Sequence, residues 1–378
     1  MTRTIMMATA LAAAAVATPA LAADASQASF GKLPDGRDVP AVTLTNGRGV
    51  SLTVIALGAS IQALWMPDKR GKREDVQIGY ETLDGYLAKP EFFGATVGRV
   101  ANRIAKGKFT FDGQVYTTPV NNGVNSLHGG TKGFDKVLWD ITEVKSGPVA
   151  SVTLRYVSPD GDMGYPGTLT TWATYSLDEQ NNLTIEYRAT TDKPTVVNIS
   201  NHAYWNLAGV GSPRGAMGHV VTIPADRYTP TDATSIPLGD NVPVEGTVFD
   251  FRKPRAIGDR VRDARDVQIA YGRGYDHNWV IGDAVTPTQH LMARVVDPVS
   301  GRGFELWSNQ PGLQFYSGNF FDGTITGKKG QIYRMGDAIV MEPQLFPDAP
   351  NQPKFPSIRL DPGQTYDNKM VYKLFTER

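Results

Sequence analysis

Five histidines occur in the 378 residues. Three stand among glycine, asparagine and aspartate: His128 in "NSLHGG", His202 in "NISNHAYWNLAG" and His277 in "GYDHNW". Imidazole is the side chain whose ordinary pKa lies nearest neutrality, so each could give or take a proton at physiological pH. A fourth dense region, "MEPQLFPDAPNQPKFPS", adds a carboxylate: Glu342 follows the apolar run 338–341 and precedes Pro343. An acid at the end of a buried strand, with the strand stopped by proline, would lie on the floor of a cleft. Imidazoles, a carboxylate, amides and aromatics together suit general acid–base chemistry on a neutral polar ligand. Taken singly, each residue also has a plain structural reading, as a hydrogen-bonded core histidine or a salt-bridged strand terminus. His219 and His290 lie in ordinary surroundings and read as surface residues.

The elements that would hold these groups read as strands. Residues 198–209 have the composition of a buried strand yet carry three asparagines and a histidine. A buried polar side chain without a partner costs roughly 1–3 kcal/mol. Asn198, Asn201, His202 and Asn206 must therefore be satisfied by neighbours, by water or by a visiting ligand. Period-two alternation in "SVTLRYV" (151–157) and "LTIEYRAT" (183–190) predicts half-buried strands. Asn46-Gly47, Asp84-Gly85, Asp112-Gly113, Asp160-Gly161 and Asp322-Gly323 predict turns. The 39 glycines and 25 prolines suit many short strands and loops. Residues 257–270 are polar enough for a short surface helix or a loop. No linker or repeat divides the chain, so the expected fold is all-β, one large antiparallel β-sandwich over residues 23–378 with few short helices.

Composition narrows the partners. Lys+Arg and Asp+Glu are 38 each, so no net field recruits nucleic acid or an anionic membrane. There is no cysteine, hence no disulfide, lipid-attachment thiol or thiolate metal site. Arg3, the apolar run to Ala17 and the small residues Ala20 and Ala22 form a secretory signal over residues 1–22, with cleavage expected after Ala22. The apolar part is too short to span a bilayer, and no other stretch is apolar enough. An exported, periplasmic protein without membrane attachment after cleavage, monomeric or weakly dimeric, is expected. Residues 209–215 ("GVGSPRG") are not a dinucleotide-binding G-x-G-x-x-G, since position 214 is arginine. Phosphate-loop, H-E-x-x-H and G-x-S-x-G motifs are missing too, so neither a cofactor nor a metal is expected.

The combination resembles the aldose 1-epimerases, or galactose mutarotases. "GRVANRIAKGKF" (98–109), "NSLHGGTKGFDKVLW" (125–139), "SPDGDMGYPG" (158–167), "NISNHAYWNLAG", "GYDHNW", "GLQFYSGN" (312–319) and the Glu342 segment follow one another in the family's order. They cover nearly the whole chain from about Phe30. The resemblance implies a β-supersandwich with a free monosaccharide in an open cleft across one sheet. It makes Glu342 the general base and His202 the general acid, with His128 close to the ring oxygen. Asn102, Arg103 and Asp276 would bind or orient the sugar hydroxyls and the catalytic groups. Arg103, placed near Glu342, would keep that carboxylate ionised. Met341, Pro343 and Lys354 stand where leucine, threonine and asparagine are common in the family, which bears on hydroxyl preference. Tyr204, Trp205 and Phe346 could face the apolar side of a pyranose, although core packing explains each as well. Two other readings use the same residues: a glycoside hydrolase with Asp276 and Glu342 as its carboxylates, and a sugar-binding protein without catalysis.

Overall fold

The computed structural model describes residues 22–89 and 91–377. The expected signal segment therefore lies outside the described residues except for Ala22. Ala23 is buried and bridged to Gly147, and the first strand, Asp24–Lys32, follows at once.

Among the described residues three large antiparallel sheets, with five two-stranded ones beside them, carry the chain. A five-stranded sheet uses residues 24–75 in sequential order. A nine-stranded sheet runs from Asp140–Lys145 through Leu169–Asp178 and Asn182–Thr191 to the strand Tyr366–Thr376, and on through Arg302–Ser308 to Arg255–Ala256. A six-stranded sheet has the order Tyr204–Trp205, Ile339–Gln344, Gly312–Tyr316, Asp276–Val280, Arg227–Thr229, Val242–Pro243. Both alternating segments become strands, Val149–Ser158 and Asn182–Thr191, with alternate residues buried at 150–154 and at 183–189, while Tyr156 is only partly buried. Among the described residues only two short α-helices occur, Leu83–Ala88 and Val267–Gly272. The all-β expectation holds.

The six-stranded sheet is polar on one face and apolar on the other, as strand alternation requires. Trp205, Met341, Leu313, Phe315 and Trp279 belong to the main core cluster. Trp205 packs against Phe304 and Tyr372 of the nine-stranded sheet, at ring-centroid distances of 4.6 and 4.8 Å. The opposite face presents Glu342, Gln314, Tyr316 and Asp276, aligned by the pairs Gln314↔Glu342 and Tyr316↔Asp276.

Several local expectations change. Asp84-Gly85 is not a turn: it lies in the helix Leu83–Ala88, because Leu83 and Tyr86, one helical turn apart, both bury. Asp322-Gly323 opens a strand, Asp322–Thr326, with a register shift. Pro343 does not stop its strand, which continues to Gln344. Its carbonyl accepts from Ser200 Oγ and Asn368 Nδ2, on the flank where Tyr204–Trp205 has already ended, so no ladder partner needs the missing N–H. Within 257–270 the helix is confined to its last residues, with Asp266 accepting from Gln268 N–H as its cap.

Candidate active site

The polar run 198–209 resolves into scaffold and one outward group. Asn198 is bonded at both ends to the Leu345 backbone. Asn201 Nδ2 reaches Gly94 O and the Tyr175 and Tyr187 hydroxyls, and Asn206 Oδ1 accepts from Ala208 N–H. The His202 backbone is clamped between Gly94 and Ala95. Gly94 must be glycine there: its φ is +67° and a Cβ would sit 2.0 Å from Ile61 O. Clamped in this way, the His202 ring lines a cavity of about 220 Å³ together with His128, Asn102, Arg103, Asp276 and Glu342. All six site residues expected from the sequence thus face one hollow. His202 Nε2 lies 3.9 Å from Glu342 Oε2, and one oxygen or nitrogen from each of His128, His202 and Glu342 falls within 4.8 Å of the others.

His128 is held by a reciprocal bond. Its N–H donates to Asn102 O (2.9 Å), and Asn102 N–H donates to His128 Nδ1 (3.1 Å). Both residues adopt left-handed backbone, with φ of 61° and 49°, strained for non-glycine residues and common at functional sites. A ring nitrogen that accepts an N–H bond carries no proton, so the neutral ring keeps its hydrogen on Nε2. His128 is therefore a fixed donor toward the cavity, and the His128–His202–Glu342 trio lacks one free lone pair for a metal ion.

Arg103 departs from expectation. Its Nη2 lies 3.6 Å from Asp276 Oδ2 and its Nε donates to Asn122, so it is paired with Asp276 and not with Glu342. Asp276 Oδ1 accepts from Gln314 Nε2 at 2.8 Å. Burial pushes the Glu342 carboxyl well above its ordinary range, the Asp276 charge adds to the rise, and Arg103 offsets only part of it. Burial lowers His202 to about 3 and holds His128 well below 6.5. Burial of both groups thus favours the carboxyl over the imidazole as holder of their shared proton.

Other residues complete the cavity; Leu127, Tyr204 and Tyr316 lie in the quoted motifs, and the rest fall outside them. Asn122, Leu127, Glu91, Phe92, Tyr204, Tyr316, Phe320 and Phe321 line it. Phe320 is 47 % exposed and stacks on Tyr316 at 5.8 Å, an apolar rim. Of the three aromatics singled out, Tyr204 lines the cavity, Trp205 is core, and Phe346 packs on Phe355 away from it. His277 points to the far face of its strand, with Nδ1 accepting from Asp276 N–H and Nε2 bonded to Gln268.

His219 and His290 are not surface residues. His290 is half-buried, with Nε2 on Gln310 O. His219 is 1 % exposed, accepts Leu207 N–H at Nε2 (2.9 Å), and is lowered by burial to about 4. Between the unfolded value near 6.5 and about 4, the unfolded chain binds a proton that the folded protein refuses, so this contribution to stability is lost as pH falls. His219→Gln does not titrate. Its stability deficit relative to the parent, read by urea unfolding, is expected to shrink by about 1.4 kcal/mol per pH unit below 6.5 until pH 4. A deficit independent of pH across that window would refute the assignment.

A family model described as aldose 1-epimerase matches residues 40–373. A galactose mutarotase of Rattus norvegicus is 46% identical over 344 residues, covering 91% of this chain and 96% of its own. An aldose 1-epimerase of Escherichia coli is 35% identical over 346 residues, 91% of this chain and 97% of its own. Among solved structures, a galactose 1-epimerase from Lactobacillus acidophilus superposes with a TM-score of 0.81 at 28% identity, covering 94% of this chain and 99% of that one. An aldose epimerase homologue from C. elegans gives 0.79 at 32% identity, covering 88% and 97%.

Proposed function

The chain belongs to the aldose 1-epimerase family, and on that premise we propose how it interconverts the α and β anomers of free aldoses such as glucose and galactose. Glu342 takes the proton from the anomeric O1 as the C1–O5 bond opens, and His202 delivers a proton to the departing O5. The product is the open-chain aldehyde. After rotation about C1–C2, O5 adds to the other face of the carbonyl and both transfers reverse. No electrons enter or leave, and the protons balance within the Glu342–His202 pair.

The observation that carries this reading is the 3.9 Å approach of Glu342 and His202 inside one hollow. O1 and O5 share C1, so an acid and a base that serve both must lie within a few ångström of each other. Sugar binding brings O1–H to the carboxylate and O5 to the imidazole. That favours the ionised pair, against the preference for the neutral pair that burial imposes. His128 gives the ring oxygen a standing Nε2–H bond, and Asn102, Arg103 and Asp276 orient hydroxyls.

The glycoside-hydrolase reading needs a second free carboxylate. Asp276 has one oxygen bonded to Gln314 and the other facing Arg103. Freshly dissolved α-D-glucose followed by polarimetry is expected to reach equilibrium faster with the protein, with no p-nitrophenol released from aryl glycosides. Release without faster mutarotation would decide for hydrolysis.

Export is part of the proposal. The first described strand enters its sheet immediately beyond the expected cut after Ala22, so cleavage there leaves every described strand whole.

A further inference from the structure

Phe92 has two neighbours that the mechanism does not use together. On one side its ring lies 4.8 Å from the His128 ring and 5.8 Å from that of His202, inside the catalytic cavity. On the other, Lys136 Nζ stands 5.1 Å from its centroid, in a second hollow of about 140 Å³. Glu91 and Phe92 line both hollows. The second is walled further by Asp135, Lys136, Ser60 and Tyr86. Leu57, Leu87, Phe93 and Ala95 complete a largely apolar wall, in which Glu91 and Lys136 supply the charged groups, Lys136 meeting Asp135 at 3.0 Å. The Phe92 backbone is left-handed, φ 61°, a conformation that a bulky residue keeps only where its surroundings impose it.

We propose that Phe92 is a specificity-determining partition, closing the catalytic cavity against a side chamber that would otherwise admit a substituent on the sugar's C6. This rests on the reading above, in which His128 adjoins the ring oxygen; an aromatic wall beside His128 then borders the O5–C5–C6 edge. The catalytic cavity, about 220 Å³, is smaller than the roughly 300 Å³ at which small-molecule pockets usually begin. Joined to the side chamber it enters that range. Glu91 and Lys136, on the chamber wall, are the groups that would bond the hydroxyls of a second sugar.

The test compares the parent, Phe92→Leu and Phe92→Ala on three reducing sugars: glucose, melibiose (glucose substituted on O6) and maltose (substituted on O4). Polarimetry gives kcat/KM and calorimetry gives Kd. For Phe92→Ala the melibiose-to-glucose ratio of kcat/KM should rise at least about tenfold, the scale on which pocket size discriminates substrates. The maltose-to-glucose ratio should stay level. Phe92→Leu should move in the same direction by less, and it carries the test if the alanine variant does not fold. An unchanged melibiose ratio, or an equal rise for maltose, overturns the partition. A parent that leaves glucose mutarotation at its rate in water overturns the proposed function instead. In that event the partition is decided by calorimetry: a tighter melibiose Kd relative to glucose in the variants supports it, and an unchanged one overturns it.

Discussion

Glu342→Gln should lose roughly 10³-fold in turnover, within the 10²–10⁴-fold range of a positioned acid or base, and keep sugar affinity within about tenfold. The side chain is 2 % exposed and its Oε1 has no hydrogen-bond partner among the described residues. An amide of the same shape therefore breaks no bond that the fold uses. Burial already disfavours the carboxylate, so replacing it with a neutral group should cost little stability. The loss can then be read as chemistry: glutamine still accepts a hydrogen bond from O1–H but cannot take the proton. Urea unfolding, calorimetric sugar binding and polarimetry on one preparation separate the three quantities. Near-native turnover would remove Glu342 from the base role.

His202→Asn should reduce turnover by at least about 10²-fold, as expected for loss of a general acid. Asparagine can still donate to O5 from its amide, so binding survives while proton delivery does not. The parent's pH profile is part of the same argument. The active pair holds one proton. A second proton must enter an imidazole lowered to about 3, so the acid limb of kcat/KM should fall well below pH 6.5. The last proton leaves from a carboxyl pushed well above 4.5, which sets the alkaline limb. An acid limb at 6.5 would mean that His202 titrates as a free imidazole and is not the desolvated group described. Unchanged turnover in His202→Asn would move the acid role to His128, which its bond from Asn102 N–H makes ill suited to exchange protons.

Strands and their faces were legible because alternation reports burial directly: Leu183, Ile185, Tyr187 and Ala189 are all fully buried. The catalytic face was legible only through resemblance. Within 198–209 composition does not separate His202 from Asn198 or Asn201, since all are buried and polar. Only the partner of each side chain, often far away in sequence, decides. His219 failed for the same reason: its partner, Leu207 N–H, is reached across a bend that period counting does not see. Gln314 became visible once strand register placed it beside Glu342 and bonded it to Asp276. Arg103 was placed in the right hollow with the wrong partner, because a motif names a residue without saying which of two nearby carboxylates it meets. Phe92 carries no signal at all, since an aromatic next to another aromatic reads as core.

The strand Tyr366–Thr376 lies in the interior of the nine-stranded sheet, between Asn182–Thr191 and Arg302–Ser308. The two halves of that sheet share no edge without it. Leu169–Asp178 with Asn182–Thr191, and His290–Val296 with Arg302–Ser308, each pair between neighbours in the chain, so this one strand is the clasp that joins them.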